Sequence, residues 1–155
     1  MNDPSQQPAE QPAQQSPAAV TSLAVHYLFT MELSLGRTAL MPGGPHGTRA
    51  YAPVENGTVS GPQINATVMP GADWVTVRPD GFVNIDVRLA LQTDDGCVVL
   101  MEYRGILDVG PDRRPRTAIQ FQAGDDRYSW LNRVVGIGIG TPGRHSVTYE
   151  VYALR

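Results

Sequence analysis

Residues 23–35 alternate with a period of two. Leu23, Val25, Tyr27, Phe29, Met31, Leu33 and Leu35 fall on one face, and His26, Thr30, Glu32 and Ser34 on the other. Successive side chains of a β-strand point to opposite faces, so this pattern demands a long strand with one face in a core and the other in a polar setting. Residues 82–92 repeat it, with Val83, Ile85, Val87, Leu89 and Leu91 opposed to Asn84, Asp86, Arg88 and Gln92. No stretch keeps a helical period over three turns, so no layer of helices is expected to cover the sheet. A sheet left uncovered exposes its edges unless it closes on itself.

Turn signals separate the runs: Asn56-Gly57, Pro79-Asp80-Gly81, Asp94-Asp95-Gly96, Gly110-Pro111-Asp112, Gly124-Asp125-Asp126 and Thr141-Pro142-Gly143. Asn-Gly and Asp-Gly supply the positive φ of tight hairpins. Strands are predicted over 23–35, 48–54, 64–68, 74–78, 82–93, 97–107, 117–122, 128–139 and 146–154, with 36–47 a flexible loop. The expected fold is all-β: an antiparallel meander closed or nearly closed into a lipocalin-like barrel of eight to nine strands, with a sandwich as the alternative. Barrels of this size can hold one small ligand. Residues 1–19, rich in Pro, Gln and Ala, read as a disordered tail, and 20–155 as one domain.

Composition removes several chemistries. All twelve basic residues are arginine, so neither a lysine Schiff base nor a phosphate-loop lysine exists. The formal charge of −3 gives no nucleic-acid footprint. The single Cys97 excludes an intramolecular disulfide and any Cys-x-x-Cys site; it reads as a small buried residue. His26, His46 and His145 lack metal-ligand spacing. No apolar run is long enough for a membrane helix, and no signal peptide is recognisable, so a cytoplasmic location is the default expectation. Gly136-Ile137-Gly138-Ile139-Gly140 has the wrong spacing for a dinucleotide fingerprint; its glycines clear one face of a strand, for sheet bending or for close approach of a ligand.

The acids and aromatics carry the remaining candidates. Gly71-Ala72-Asp73-Trp74 sets an acid beside a Trp just after a Pro-Gly turn. A regular strand would send the two to opposite faces, whereas a bulge or strand entrance could turn both into one cavity. Asp86 and Arg88 share a face, either as an exposed ion pair or as a lumen pair whose arginine holds an anionic or carbonyl oxygen. Tyr103 points inward with Val99 and Met101. Trp130 and Asn132 share the face of Gly136 and Gly138, lining a pocket or else serving as a core Trp and a turn tie. Tyr149, aligned with Val147 and Val151, reads as core.

Taken in order, Gly57, Gly61-Pro62, Gly71-Ala72-Asp73-Trp74, Asp80-Gly81, Asp86-Val87-Arg88, Thr93-Asp94-Asp95-Gly96, Gly105, Arg116-Thr117, Phe121, Tyr128, Trp130-Leu131-Asn132 and Gly136-Ile137-Gly138 resemble a family of small bacterial and fungal β-barrel proteins. That family is labelled domain of unknown function 3237, or uncharacterised protein family 0311. The resemblance spans residues 20–154. It implies a barrel with an internal pocket and self-association, most simply a homodimer. It implies no agreed reaction; members look like accessory proteins of catabolic or secondary-metabolite pathways. Two departures stand out: Gln122 replaces the family's acid after the phenylalanine, and residues 108–115 form a shorter segment.

The resulting expectation is a small-molecule barrel, an enzyme of lyase, isomerase or cyclase type without cofactor or metal. Its substrate would be aromatic or polyketide-like, with no nucleic-acid or membrane partner. Asp73 would transfer the proton, and Arg88 or Tyr103 (or Asn132) would hold a developing oxyanion. Trp74, Asp86, Phe121, Trp130 and Asn132 would contact the ligand. The alternatives are a non-catalytic binder of an apolar ligand and a structural homo-oligomer without a pocket.

Overall fold

A computed structural model describes residues 22–108 and 110–154. The expected tail, 1–19, and the start of the domain at 20 lie outside the described residues. Ten strands form one antiparallel sheet: β1 (Val25–Leu35), β2 (Ala39–Gly44), β3 (Gly47–Ser60), β4 (Asn65–Val68), β5 (Gly71–Val77), β6 (Phe82–Thr93), β7 (Val98–Asp108), β8 (Arg116–Ala123), β9 (Gly136–Pro142) and β10 (Ser146–Leu154). Hydrogen-bonded neighbours run β1-β10-β9-β8-β7-β6-β4-β3, and pairing of β1 with β3 closes the ring. Eight strands therefore make a barrel, as the alternation required. β2 and β5 lie off the ring. β5 fills the station of β4 further along, between β3 and β6.

The alternation seen in the sequence becomes inside and outside. Phe29, Met31, Leu33, Leu91, Val99, Met101, Ile119 and Val151 fill the lumen and are almost wholly buried. One end of the barrel is plugged by a short 3₁₀ helix, η1 (Asp126–Arg133), which sends Tyr128 and Leu131 into the core. A polar lock holds the plug in place. Arg127 donates from Nε and Nη2 to the two Asp125 oxygens, both at 3.0 Å, and from Nη1 to Asp95 at 2.9 Å. The Tyr128 hydroxyl donates to Asp95 at 2.9 Å, and Thr93 Oγ1 donates to the same Asp95 oxygen at 2.6 Å. Cys97 is buried, and its sulfur accepts from Arg127 at 2.7 Å.

Four local expectations are corrected. Leu23, Val25 and Tyr27, expected on the core face with Phe29, are exposed, because the register of β1 with β10 shifts between Tyr27 and Phe29 and reverses the alternation. The strand predicted over 128–139 is η1 followed by β9, because Asp125 caps a helical turn by accepting from the Arg127 N–H at 2.9 Å. Part of the loop predicted over 36–47 is β2, paired along β3 from Ala39↔Tyr51 to Gly44↔Gly47. Asn56-Gly57 makes no hairpin. It lies inside β3, where the register with β1 shifts between Ser34↔Asn56 and Leu35↔Val54. A Cβ at position 57 would come within 2.3 Å of the Glu32 carbonyl, so the glycine serves a close crossing of strands there.

Candidate functional site

Asp73 is the third residue of β5, paired with Ala52 on one side and Val87 on the other. The pairing of β5 with β3 is unbroken there, so Trp74 takes the opposite face, paired with Tyr51. The convergence of Asp73 and Trp74 expected at a strand entrance does not form. Asp73 faces inward, partly buried, while Trp74 is 54% exposed on the outer wall.

The Asp73 carboxylate breaks the β-ladder beside it. β5 and β6 pair at Ala72↔Arg88, Asp73↔Val87, Thr76↔Asn84 and Val77↔Val83, but not in the two rungs between. There the Asp86 N–H donates to Asp73 Oδ1 at 3.0 Å. A side-chain oxygen thus takes the place of a backbone acceptor and stays fixed in position. Burial raises the Asp73 pKa from 3.8 to about 6; the Asp86 N–H opposes that shift and the Asp86 charge adds to it. The acid therefore titrates near neutrality.

Two buried tyrosines stand close enough to feel its charge. Tyr103 follows Val87 in the same row, through the pairing Val87↔Tyr103. Tyr149 stands against Tyr103 edge to face, with ring centroids 5.6 Å apart. Both are 3% exposed. Burial pushes both hydroxyls above the ordinary tyrosine range. The facing Tyr149 and then the Asp73 charge add to this at Tyr103, and the Asp73 charge adds to it at Tyr149. Each hydroxyl stays protonated and can donate.

The glycines of β9 make room for Tyr149. A Cβ on Gly140 would meet the Tyr149 ring at 2.9 Å and Pro115 at 2.4 Å; one on Gly138 would meet Thr117 Oγ1 at 2.5 Å. The strip admits a tyrosine ring of the chain itself, a role not among the two considered for it.

The other expected site residues are not gathered here. Arg88 points outward and pairs with Glu102 at 3.8 Å, so it reaches no lumen oxygen. The Asp86 carboxylate also faces out, toward Arg104 at 3.3 Å; only its backbone serves Asp73. Phe121 packs edge-on to Phe29 in the core, with centroids 6.0 Å apart. Trp130 sits on η1, packed against the core. Asn132 is consumed by the end of β8: it accepts from the Ala123 N–H at 2.7 Å and donates to the Ala123 carbonyl at 2.8 Å. Gln122, the position where the resemblance leads one to expect an acid, is exposed on the outer face, opposite Leu100. Tyr149, read as core, is the residue that sequence reasoning missed. Its only signal was inward alternation, which placed it in the core, where it stands opposite Gly140. Among the described residues, no group of three His, Cys, Asp or Glu is placed to hold a metal ion, and no helix is long and apolar enough to cross a membrane.

Fold and site together define a class: a small closed antiparallel barrel with one protonatable acid set in its wall against two buried tyrosines. The chain belongs to the family described as protein of unknown function (DUF3237), whose model matches residues 23–154. It is 30% identical over 141 residues to a UPF0311 protein of Rhodopseudomonas palustris (strain TIE-1), covering 81% of this chain and 91% of that one. The crystal structure of RPA1785, a conserved protein of unknown function from R. palustris, superposes with a TM-score of 0.80 at 28% identity, over 88% of this chain and 100% of that one. A protein of Penicillium herquei named as a hydroalkoxylation enzyme is 25% identical over 128 residues, 83% of this chain and 80% of that one.

Proposed function

We propose that the chain is an acid–base enzyme centred on Asp73, acting on an aromatic or polyketide-like substrate by proton transfer and oxyanion stabilisation. The observation that carries this reading is the setting of the Asp73 carboxyl group, partly buried and fixed by the Asp86 N–H beside the buried Tyr103 and Tyr149, where burial raises its pKa to about 6. An acid that titrates near the working pH can both take and return a proton. Two protonated hydroxyls in a low-dielectric site favour negative charge on a substrate oxygen.

The name of the P. herquei relative makes addition of a hydroxyl across a carbon–carbon double bond the first reaction to test. In a hydroxy-enone, the Asp73 carboxylate removes the phenol proton and the phenolate oxygen attacks the β-carbon. Electron density moves onto the carbonyl oxygen, held by Tyr103 or Tyr149. Asp73 then returns its proton to the α-carbon. One C–O and one C–H bond form, one O–H bond and one C=C π bond break, and no electrons leave the system.

The test is cyclisation of 2′-hydroxychalcone to flavanone, followed by absorbance and chiral chromatography. Enantioselective acceleration over the spontaneous reaction, lost in Asp73→Asn, is the expected result. Equal turnover by wild type and Asp73→Asn removes Asp73 from the mechanism. Racemic product at the spontaneous rate removes this substrate class.

A further inference from the structure

Outside the barrel, beside Asp73, two clefts meet. One, of about 380 Å³, is lined by Leu40, Met41, Pro45 and Tyr51. The other, of about 390 Å³, is lined by Thr76, Asn84, Asp86 and Arg104. Arg49 and Trp74 line both. The first cleft is an unusual surface: Leu40 is 63% exposed, Trp74 54% and Met41 51%, with β3 between the strand of Leu40 and Met41 and that of Trp74. Contiguous apolar patches of this kind on a polar outer wall mark contact sites.

The charges at the junction indicate what the site is built to meet. Arg49 Nε donates to the Val75 carbonyl at 3.3 Å, which anchors the guanidinium on β5 next to Trp74. Among the described residues Arg49 has no carboxylate partner within 4.0 Å. The one acid in either lining, Asp86, is answered by Arg104 at 3.3 Å. Two arginines therefore face one aspartate, in a chain whose net charge is −3. The Tyr51 ring braces Trp74 edge to face, with centroids 5.0 Å apart, leaving the indole on display.

We infer that this junction binds a small planar aromatic carboxylate, its ring against Trp74 and the Leu40–Met41 wall and its carboxylate on the free amino groups of Arg49. A guanidinium matches a carboxylate in a planar, two-pronged geometry, and an aromatic ring gains most from a fixed aromatic neighbour. Asp86 lines the second cleft while its N–H holds the Asp73 carboxylate. Occupancy is thus placed next to the acid without passing through the lumen. The inference does not rest on Asp73 being catalytic.

The test uses 2-naphthoate as the anionic probe and 2-acetonaphthone as its neutral counterpart. The two tryptophans give two indole N–H resonances, from exposed Trp74 and core-packed Trp130. Naphthoate is expected to shift the Trp74 resonance saturably and leave Trp130 unmoved. Arg49→Met should weaken naphthoate by roughly tenfold to a hundredfold, the worth of one charge-assisted hydrogen bond, and leave acetonaphthone unchanged. Asp73→Asn should bind as wild type does, which separates failure of this site from failure of the enzyme reading. The inference is overturned by an absent or non-saturable Trp74 shift, or by Arg49→Met weakening both probes equally. It is also overturned by a Trp74 resonance that moves on protein dilution instead of on naphthoate addition, since a second copy of the chain would then cover the cleft.

Discussion

Replacing Asp73 by Asn should abolish proton transfer and yet stabilise the fold, by an amount that depends on pH. Asn keeps an oxygen to accept from the Asp86 N–H and cannot ionise. In the wild type the folded pKa is about 6 against an ordinary 3.8, so the folded state holds its proton more tightly than the unfolded chain does. Below the unfolded pKa both states are protonated and ionisation costs nothing. As pH rises the unfolded chain ionises first, and the penalty grows until the folded acid ionises too. Above about pH 6 the penalty is complete. A shift of this size at roughly 1.4 kcal/mol per pKa unit amounts to about 3 kcal/mol, or about 6–12 °C in Tm for a domain of this length. Urea unfolding of both proteins from pH 4 to pH 8 is the assay. The two stabilities should nearly meet at the acidic end and separate by about 3 kcal/mol at neutrality, with Asp73→Asn the more stable. Parallel curves across the range would refute the argument that Asp73 is strained by burial. Such a cost is retained where function needs it.

Four further outcomes follow from the same geometry. Tyr103→Phe should lower turnover by about 10²–10³ if its hydroxyl holds the developing oxyanion; wild-type turnover would leave that role to Tyr149. Gly140→Ala drives a Cβ into Pro115 and the Tyr149 ring, and should cost about 1–3 kcal/mol by thermal unfolding while shifting the Tyr149 ring resonances. Leu131→Ala, at a position with no solvent exposure, should cost about 2–5 kcal/mol and loosen the plug, seen as faster amide exchange in η1. Gln122→Glu, on the outer face away from the lumen, should leave turnover unchanged and stability within about 0.5 kcal/mol.

Period-two alternation carried most of the fold, because a barrel wall with one dry face writes itself into the sequence directly. It gave the strand faces correctly for β6, β7 and β10, and hence the inward direction of Tyr103, but in β1 only from Phe29 onward, because the register shift between Tyr27 and Phe29 reverses the phase. It failed at 128–139, where Asp125 caps a helical turn in a stretch whose Tyr and Trp look equally at home in a strand. It failed at Asn56-Gly57 because a hairpin and a close strand crossing ask for the same small residue. Of the proposed site, Asp73 and Tyr103 were named from the sequence. Their partner Tyr149 was hidden among core residues, since alternation distinguishes inside from outside but not lumen site from lumen filler. Arg88 and Asp86 were open to two readings because both stand on a polar face, and only their register with Glu102 and Arg104 places them outside. Trp74 was expected in the lumen for want of any signal that β5 keeps its pairing with β3 through it.

The most direct test is the titration of the Asp73 carboxyl itself, followed by carbon-13 NMR of the labelled side chain in the intact protein. The expected midpoint is about 6, with Tyr103 and Tyr149 ring resonances moving in the same titration. A midpoint near the ordinary 3.8, with both tyrosines unresponsive, would contradict a buried proton-transfer site at Asp73.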